Sequence, residues 1–328
     1  MVEVKVVNVL PDSTLFPNGC VAAVGNFDGV HLGHQEVFAT AVARAGAFGL
    51  PAVLLTFASH PLTIVNPGAA PAPLMTVDDR LGIARQTGFE AAIVLDFDQE
   101  LASMSPEEFA AGMLVERIGI RELVAGKGWR FGRGRSGDME WLSGFGQGAG
   151  LTVRGVGPVM IEGRPVSSTW VRESLARGDV GEVARLLGRP HFVRGTVIRG
   201  EGRGRDLGFP TVNLDCHGVL VPAQGVYAGG YRVGEASGPA ALSVGPAPTF
   251  EGGHGIVGSG PRAALEGHLI DLDLDLYGQT VSIAFTRRLR DQRPFPDADA
   301  LSRQIALDVE AARKECLAFE ICTQNPKP

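Results

Sequence analysis

The chain has 328 residues, 45% of them hydrophobic and 20% charged, and a formal net charge of −6. This length favours two domains of ordinary size, and the composition is that of globular proteins rather than of disordered chains. The negative charge argues against a nucleic-acid backbone as the main partner, and no run approaches the roughly 18 apolar residues of a membrane span. The four cysteines show no C-x-x-C spacing and the start shows no signal peptide, so we expect free thiols and a cytoplasmic protein.

The first half of the chain alternates predicted strands and helices. Strands are predicted at 21–27, 51–57, 91–97 and 122–126, and helices at 34–49, 77–88 and 106–119. Two of these helices end in a glycine, Gly49 and Gly88, as is typical of helix C-termini. Such an alternation predicts a parallel sheet covered by helices, with ligand sites at the carboxyl ends of its strands.

The pattern changes near residues 186–191. A helix is predicted at 179–188, where Glu182 follows the capping Asp179 by three residues. Short strands then alternate with glycine and proline, at 192–198, 225–233, 240–245, 264–278 and 279–285. This second half predicts a β-barrel closed by a helix over 297–319, and we place the domains at 1–187 and 188–328.

The segment GNFDGVHLGH, residues 25–34, lies where the first strand gives way to the first helix. Its glycines allow the backbone to approach a phosphate closely, and the helix N-terminus supplies unpaired N–H groups. His31 and His34 can donate to a polyphosphate during attack on the α-phosphate of a nucleotide, with pyrophosphate leaving. The alternative is that each histidine only caps the helix or lies on the surface.

A second glycine-rich segment, RGEGRGRDLGFPTVNL, spans residues 199–214. It is either a solvated basic turn or a phosphate cradle of backbone N–H groups. In the second case Thr211 and Asn213 would offer oxygen ligands to Mg²⁺, which prefers them.

The segment EGHLIDLDLDLYG, residues 266–278, alternates strictly between apolar and acidic side chains. Extended backward, the face of Leu272, Leu274 and Leu276 includes Glu266 and His268. A carboxylate on the inner face of a barrel strand is costly unless it is used, which makes Glu266 a candidate general base for an alcohol. The alternative is a bulge that turns Glu266 to solvent.

The segment VSSTWVRESL, residues 166–175, predicts a helix start at the serines and threonine, which alone would be ordinary capping residues. Together, GNFDGVHLGH and SSTWVR resemble the H-x-G-H and S-S-T-x-x-R elements of the nucleotidyltransferase superfamily.

The ordered set of motifs resembles the bacterial bifunctional riboflavin kinase/FAD synthetase family. Besides the motifs described above, this set contains TFASHP (56–61), GKGWRFGRGRSGD (126–138) and VGPAPTF (244–250). The resemblance implies an α/β Rossmann-like adenylyltransferase module, then a six-stranded kinase barrel with a C-terminal helix. Riboflavin and ATP would give FMN and ADP, and FMN and ATP would give FAD and pyrophosphate, with Mg²⁺. It implies small-molecule substrates, neither nucleic acid nor membrane as partner, and no particular oligomeric state.

The resemblance also implies roles for individual residues. In the first module, catalysis involves His31, His34 and Arg172. In the same module, ATP would be bound by Gly25, Asn26, Asp28, Gly33, Ser168 and Thr169, and flavin by His60, Pro61, Trp129, Arg130 and Phe131. In the second module, the phosphates of ATP would be bound by Gly202, Arg203, Gly204 and Gly208. Mg²⁺ would be bound there by Thr211 and Asn213. Glu266 would take the proton from the ribityl 5′-hydroxyl.

The chain departs from the family pattern at a few positions. Ser59 replaces a proline, Val212 replaces an alanine, and Gly128 and Trp129 replace an acidic or amide residue and a phenylalanine. Losing a buried hydrogen-bonding side chain costs about 1–3 kcal/mol, which Trp129 would partly offset by stacking on flavin. The alternative function is therefore a riboflavin kinase whose first module is weak or uses another flavin or nucleotide.

The sequence argues against two other classes of protein. A flavin-binding regulator would need neither a base nor a metal site, which argues against it. A fragment of a class I aminoacyl-tRNA synthetase would carry a K-M-S-K-S-like loop, which this sequence lacks.

Overall fold

A computed structural model describes residues 5–7, 13–200, 204, 207–246 and 263–318. The described residues form two compact units. The first contains those before residue 72 and those from 77 to 167, and the second contains 72–76 and those from 168 onward.

The first unit is built on a parallel sheet. Its strands are β1 (Lys5–Val7), β2 (Cys20–Val24), β3 (Ala52–Phe57), β4 (Ala91–Leu95), β5 (Ile120–Gly126), β6 (Arg130–Phe131), β7 (Gly137–Asp138), β8 (Thr152–Val156), β9 (Met160–Ile161) and β10 (Arg164–Pro165). Six of them form one sheet in the order β1-β4-β3-β2-β5-β8, all parallel. The order reverses beside β2, which has β3 on one side and β5 on the other. In open parallel sheets such a reversal leaves a ligand crevice at the carboxyl ends of the strands.

Helices cover this sheet. They are α1 (Leu32–Phe48), α2 (Leu62–Val65), α3 (Val77–Gln86), α4 (Gln99–Ser103), a π-helical stretch (Glu108–Ile118) and α5 (Met139–Ala149). Every residue of β2, β3 and β4 is buried, as expected for strands covered on both faces. The predicted series of strands and helices is confirmed.

Helix α5 was not predicted, because its sequence contains three glycines, which are poor helix formers. The fold requires at least one of them. A Cβ atom on Gly146 would lie 2.2 Å from the carbonyl oxygen of Leu151, so only glycine fits there.

In the part of the chain that the structure describes, the second unit is a barrel with helices before and after it. Its strands are β11 (His191–Ile198), β12 (Val212–Asp215), β13 (Gly225–Val233), β14 (Ala236–Pro246), β15 (Ala263–Leu269) and β16 (Thr280–Arg290). They close in the order β11-β12-β15-β14-β13-β16 with antiparallel neighbours, which confirms the predicted six-stranded barrel. Helices α6 (Ser168–Ala176) and α7 (Val180–Leu187) precede the barrel, and α8 (Ala298–Ala318) packs against β13 and β14.

The prediction of a single strand over 264–278 is wrong beyond Leu269. β15 ends there, and Asp271 adopts a left-handed φ of 62° in the turn that follows. Within β15 the buried side chains are Leu265 and Leu269, whereas Glu266 is exposed. The placement of Glu266 on the inner face is therefore wrong as well, because the turn breaks the two-residue alternation on which it rested.

Candidate active sites

The loop of residues 25–34 follows β2 and has a strained backbone. Phe27 and Val30 adopt positive φ values of 50° and 40°, which are rare for residues other than glycine. Both side chains are buried, and the Phe27 ring meets the His34 ring edge-on at 5.3 Å. Packing therefore holds the loop in an unfavourable conformation, a feature that concentrates at functional sites.

The two histidines lie together at the start of α1. His31 is the N-cap residue, and its Nδ1 accepts a hydrogen bond of 3.3 Å from the backbone N–H of His34. The two rings stack with centroids 3.6 Å apart. A Cβ atom on Gly33 would lie 3.1 Å from the His31 ring, so glycine leaves room for that ring.

This geometry shows that His31 caps the helix, and its role in binding ATP stays a prediction. A neutral imidazole that accepts at Nδ1 carries its proton on Nε2, which is then a donor. The donor lies at the N-terminus of a helix of 17 residues, where the helix dipole and unpaired N–H groups favour an anion.

Polar groups of the same loop point to a further ligand contact. Asp28 is buried, and the backbone carbonyl of Asn26 accepts a hydrogen bond of 3.2 Å from the Thr56 hydroxyl. The side-chain oxygen of Asn26 is buried without a hydrogen-bond partner among the described residues. Buried polar atoms are normally satisfied, so this oxygen is a candidate ligand contact.

The segment TFASHP leads from β3 to the next helix. His60 is half-buried, and its Nδ1 accepts a hydrogen bond of 3.1 Å from the backbone N–H of Leu62. Pro61 is the N-cap residue of α2. Ser59, which departs from the family pattern, accepts a hydrogen bond of 3.3 Å from the Thr63 hydroxyl.

The segment GKGWRFGRGRSGD follows β5 and folds into the hairpin of β6 and β7. Trp129 is half-buried and stacks on Phe131 with centroids 4.7 Å apart, while Arg130 is exposed and lies 3.6 Å from the carboxylate of Asp138. Gly128 has open space where a Cβ atom would lie. One Trp129 face is therefore occupied by Phe131, and the glycine at 128 is not required by packing.

Three predicted segments thus follow β3, β2 and β5, which are neighbours in the sheet. Because the strands are parallel, their carboxyl ends lie at one edge, and the structure brings GNFDGVHLGH, TFASHP and GKGWRFG together there. Asn26, Asp28, His31, His60 and Trp129 all belong to this edge.

The predicted helix start at the S-S-T-x-x-R segment is confirmed. Ser168 opens α6, and the Arg172 Nε donates a hydrogen bond of 3.1 Å to the carbonyl of Ala72. Within the first unit, the carbonyl of Val166 lies 3.8 Å from the position of a Cβ atom on Gly33. Ser168, Thr169 and Arg172 belong to the second unit, and their part in an ATP site stays a prediction.

In the barrel, the predicted kinase residues occupy adjacent strands. Asn213 of β12 is directly opposite Glu266 of β15, and Ser243 of β14 is opposite Glu266 on its other side. Directly opposed residues have Cβ atoms about 4.5–5.5 Å apart. Glu266 therefore lies in a row of polar side chains on the outer face of the barrel.

The glycine-rich segment lies close to two of these residues. A Cβ atom on Gly200 would lie 2.0 Å from the Asn213 amide nitrogen, and one on Gly204 would lie 3.0 Å from the Thr211 hydroxyl oxygen. His268 contributes Nδ1 to a hydrogen bond of 2.8 Å with the carbonyl of Pro210, just before Thr211. Gly208 adopts a φ of +83°, and the predicted Gly202 and Arg203 lie outside the described residues.

The donor chemistry of this site fits Mg²⁺. Thr211 offers a hydroxyl oxygen and Asn213 a carbonyl oxygen, both hard ligands. Among the described residues no group of three or more His, Cys, Asp or Glu side chains could hold a metal ion. Such a site suits a Mg²⁺ ion that arrives with phosphates and keeps several waters.

A cavity of about 820 Å³, which the sequence does not predict, lies beside Glu266. It is lined by strands β13–β15, by residues 290–297 and by the start of α8. Gln292 donates a hydrogen bond of 3.0 Å to the Ser243 hydroxyl, and the guanidinium groups of Arg290 and Arg293 lie 5.6 and 5.2 Å from the ring centre of Phe295. The irregular segment 290–297 has no sequence periodicity from which the cavity could be predicted. The volume of the cavity and its mixture of polar and apolar lining residues suit a small aromatic ligand.

No helix among the described residues has both the length and the hydropathy to cross a bilayer. The sequence matches the family model of FAD synthetase over residues 14–170 and that of riboflavin kinase over residues 187–316.

Several relatives carry the name bifunctional riboflavin kinase/FMN adenylyltransferase. The Pseudomonas fluorescens protein is 38% identical over 301 residues, covering 90% of this chain and 92% of the relative. The Bacillus subtilis protein is 33% identical over 295 residues, covering 89% and 91%. A crystal structure described as a macrolide-efflux protein from Streptococcus pneumoniae is 31% identical with a TM-score of 0.83, covering 94% of this chain and 99% of that one.

Proposed function

Because the chain belongs to the bifunctional riboflavin kinase/FMN adenylyltransferase family, we propose that residues 188–328 convert riboflavin to FMN and residues 1–187 convert FMN to FAD. The observation that carries this assignment is the match of both family models to one chain, in the order of its two modules. The substrates are riboflavin, FMN and ATP.

In the first module, the triphosphate of ATP binds at the N-terminus of α1. An oxygen of the FMN phosphate attacks the α-phosphorus, and the bond from that phosphorus to the leaving pyrophosphate breaks. His31 donates from Nε2 to the charge that gathers on the phosphate oxygens, together with His34. The backbone from Gly25 to Gly33, with Asn26 and Asp28, belongs to the same anion site of the first unit. Ser168, Thr169 and Arg172 are assigned to ATP by their match to the family's S-S-T-x-x-R element.

The flavin of the first module binds beside TFASHP and the β6–β7 hairpin. His60, Pro61 and Arg130 contact it, and the Trp129 face opposite Phe131 offers a stacking surface. The Trp129–Phe131 stack supports this role because it holds the indole in one orientation.

In the second module, riboflavin occupies the cavity beside Glu266. Glu266 takes the proton of the ribityl 5′-hydroxyl, whose oxygen attacks the γ-phosphorus of ATP, and ADP leaves. Thr211 and Asn213 hold Mg²⁺, which neutralises phosphate charge when bound. The register of Asn213 and Glu266 supports this assignment, since it sets the base next to a residue of the phosphate site.

A chromatographic product assay tests the proposal. The purified chain is incubated with Mg²⁺ and ATP plus either riboflavin or FMN. We expect FMN and FAD from the first mixture and FAD from the second. If the first mixture gives FMN but neither mixture gives FAD, the adenylyltransferase activity is refuted and the kinase-only alternative remains. If the first mixture gives no FMN, the kinase activity is refuted.

Matched variants assign the two sites. Glu266→Gln should abolish FMN formation and leave FAD formation from added FMN intact. Glu235→Gln, at an exposed position in the turn between β13 and β14, is the control and should keep both activities. A Glu266→Gln chain that still makes FMN at the normal rate would rule out Glu266 as the base.

A further inference from the structure

A buried arginine lies under the 25–34 loop. Arg80 of α3 is 4% exposed, and its Nη1 donates to the Thr56 hydroxyl oxygen at 2.8 Å and to the Phe57 carbonyl at 2.9 Å. Its Nε is buried without an acceptor among the described residues. Burying a guanidinium costs several kcal/mol unless it is well paired, so this arrangement requires an explanation.

The charge of Arg80 is not cancelled by its two hydrogen-bond acceptors. The two hydrogen bonds of its guanidinium go to a hydroxyl and a backbone carbonyl, neither of which carries a negative charge. Burial lowers the pKa of Arg80, and the field of Asp28, in the 25–34 loop, raises it to a smaller extent. Because a guanidinium is not deprotonated in proteins, Arg80 places a positive charge just behind a loop whose histidines and backbone suit an anion.

Hydrogen bonds couple Arg80 to that loop. The Thr56 hydroxyl, fully buried at the end of β3, accepts from Arg80 and donates its own hydrogen to the carbonyl of Asn26 at 3.2 Å. In this series of hydrogen bonds, the Arg80 guanidinium donates to the Thr56 hydroxyl, and the Thr56 hydroxyl donates to the Asn26 carbonyl. A change at Arg80 therefore acts on the backbone of Asn26, two residues before Asp28.

Resting on the proposed function, we propose that Arg80 is a positioning residue for adenylyl transfer. It fixes the carbonyl of Asn26 through Thr56 and places a permanent positive charge behind the loop that receives the triphosphate. The purely structural alternative predicts that an apolar side chain of similar volume serves as well, since such replacements of buried charges are often neutral or stabilising.

The test compares variants in the full chain. Arg80→Met removes both the charge and the hydrogen bonds, Arg80→Lys keeps the charge, Thr56→Val breaks the connection to Asn26, and Thr56→Ser keeps it. Arg85→Met is the control, because Arg85 lies on the same helix and also has a buried Nε without an acceptor. The riboflavin kinase activity of each preparation reports that the second unit is folded, and a thermal melt of each variant, compared with that of the unmodified chain, reports the folding of the first unit, which carries Arg80 and Thr56.

We expect Arg80→Met to lower kcat/KM for ATP in FAD formation by about ten- to a hundredfold, with kinase activity unchanged. Arg80→Lys should recover part of the lost FAD formation. Thr56→Val should lower FAD formation although the charge of Arg80 is kept. Thr56→Ser and Arg85→Met should form FAD at the rate of the unmodified chain. If Arg80→Met does not fold, the two Thr56 variants carry the same test. Normal FAD kinetics in Arg80→Met or in Thr56→Val, or an equal fall of both activities, would overturn the proposal.

Titration with inorganic pyrophosphate separates this proposal from the proposed function. Pyrophosphate is a product of the first module, and the phosphate segment of the second module is the same in both chains, so a difference in pyrophosphate binding between Arg80→Met and the unmodified chain reports the anion site of the first module without turnover. If the unmodified chain makes no FAD but Arg80→Met still weakens pyrophosphate binding tenfold or more, the adenylyltransferase fails and the role of Arg80 in the anion site stands. Equal pyrophosphate binding by both chains would refute that role.

Discussion

The barrel should lose stability in mild acid because of one buried histidine. His191 opens β11, is 2% exposed, and shares a hydrogen bond of 2.8 Å between its Nε2 and the carbonyl of Leu220. Since a carbonyl only accepts, Nε2 carries the proton and the ring is satisfied while neutral. Burial lowers the pKa of His191 from 6.5 to about 4, and the nearby Arg189 charge adds to the effect.

The direction of the effect follows from the difference in proton binding. Between about pH 6.5 and about pH 4, the unfolded chain binds a proton at His191 and the folded chain does not, so stability falls as the pH falls through this window. Because one pKa unit corresponds to 1.36 kcal/mol, the full difference is about 3 kcal/mol. A loss of this size is a large part of the stability of a domain.

Urea unfolding measures this loss in the full chain. With Trp129 and Trp141 replaced by phenylalanine, fluorescence comes from Trp170, which is buried in α6 of the second unit. The free energy of unfolding is determined from about pH 7.5 to about pH 4.5 for this chain and for His191→Gln. Comparing the two removes the contribution of other titrating groups.

We expect the His191→Gln chain to lose about 2.5 kcal/mol less than its parent over this range, because it ends above the folded pKa of about 4. The control is His217→Gln, because the side chain of His217 is 54% exposed, and its pH dependence should parallel that of the parent. Parallel curves for His191→Gln and its parent would refute the reasoning.

Three further predictions concern the first unit. His31→Asn keeps a capping side chain but removes the imidazole, so FAD formation should fall about a hundredfold while the melting temperature changes little; normal FAD formation would contradict a role in catalysis. Gly128→Asn fits the open space at that position and should lower the KM for FMN about ten- to a hundredfold if an amide there reaches the flavin, whereas an unchanged KM would show that it does not. Glu122→Ala removes the buried partner of Arg44 and Arg154 and should lower the unfolding free energy by about 2 kcal/mol, and calorimetry showing no change would refute that estimate.

The features predicted correctly from sequence are those that depend on neighbouring residues. Alternating apolar runs predicted the strands of the parallel sheet, and Gly49 marks the end of α1 because it adopts a left-handed φ that other residues avoid. The loop of residues 25–34 is also predicted as an anion-binding candidate from sequence, because closely spaced glycines and histidines before a helix form a local pattern. The roles of the individual site residues stay predictions.

The features missed or mistaken depend on contacts between distant segments. Arg80 lies on the same face of α3 as the buried Ala84, and only the packing of α3 against the end of β3 shows that this charge is buried against Thr56. The cavity beside Glu266 forms from three strands and the segment before α8, which no single stretch of sequence contains.

The sequence by itself therefore determined the order of the elements, the two kinds of module and the motif loops, because these follow from local periodicity and residue type. Only the tertiary structure decided which face Glu266 occupies, since the turn at Asp271 ends the alternation from which its face was inferred. It also decided that β3, β2 and β5 are neighbours, because strand order depends on packing of the whole sheet, and that order brings the three loops of the first site to one edge.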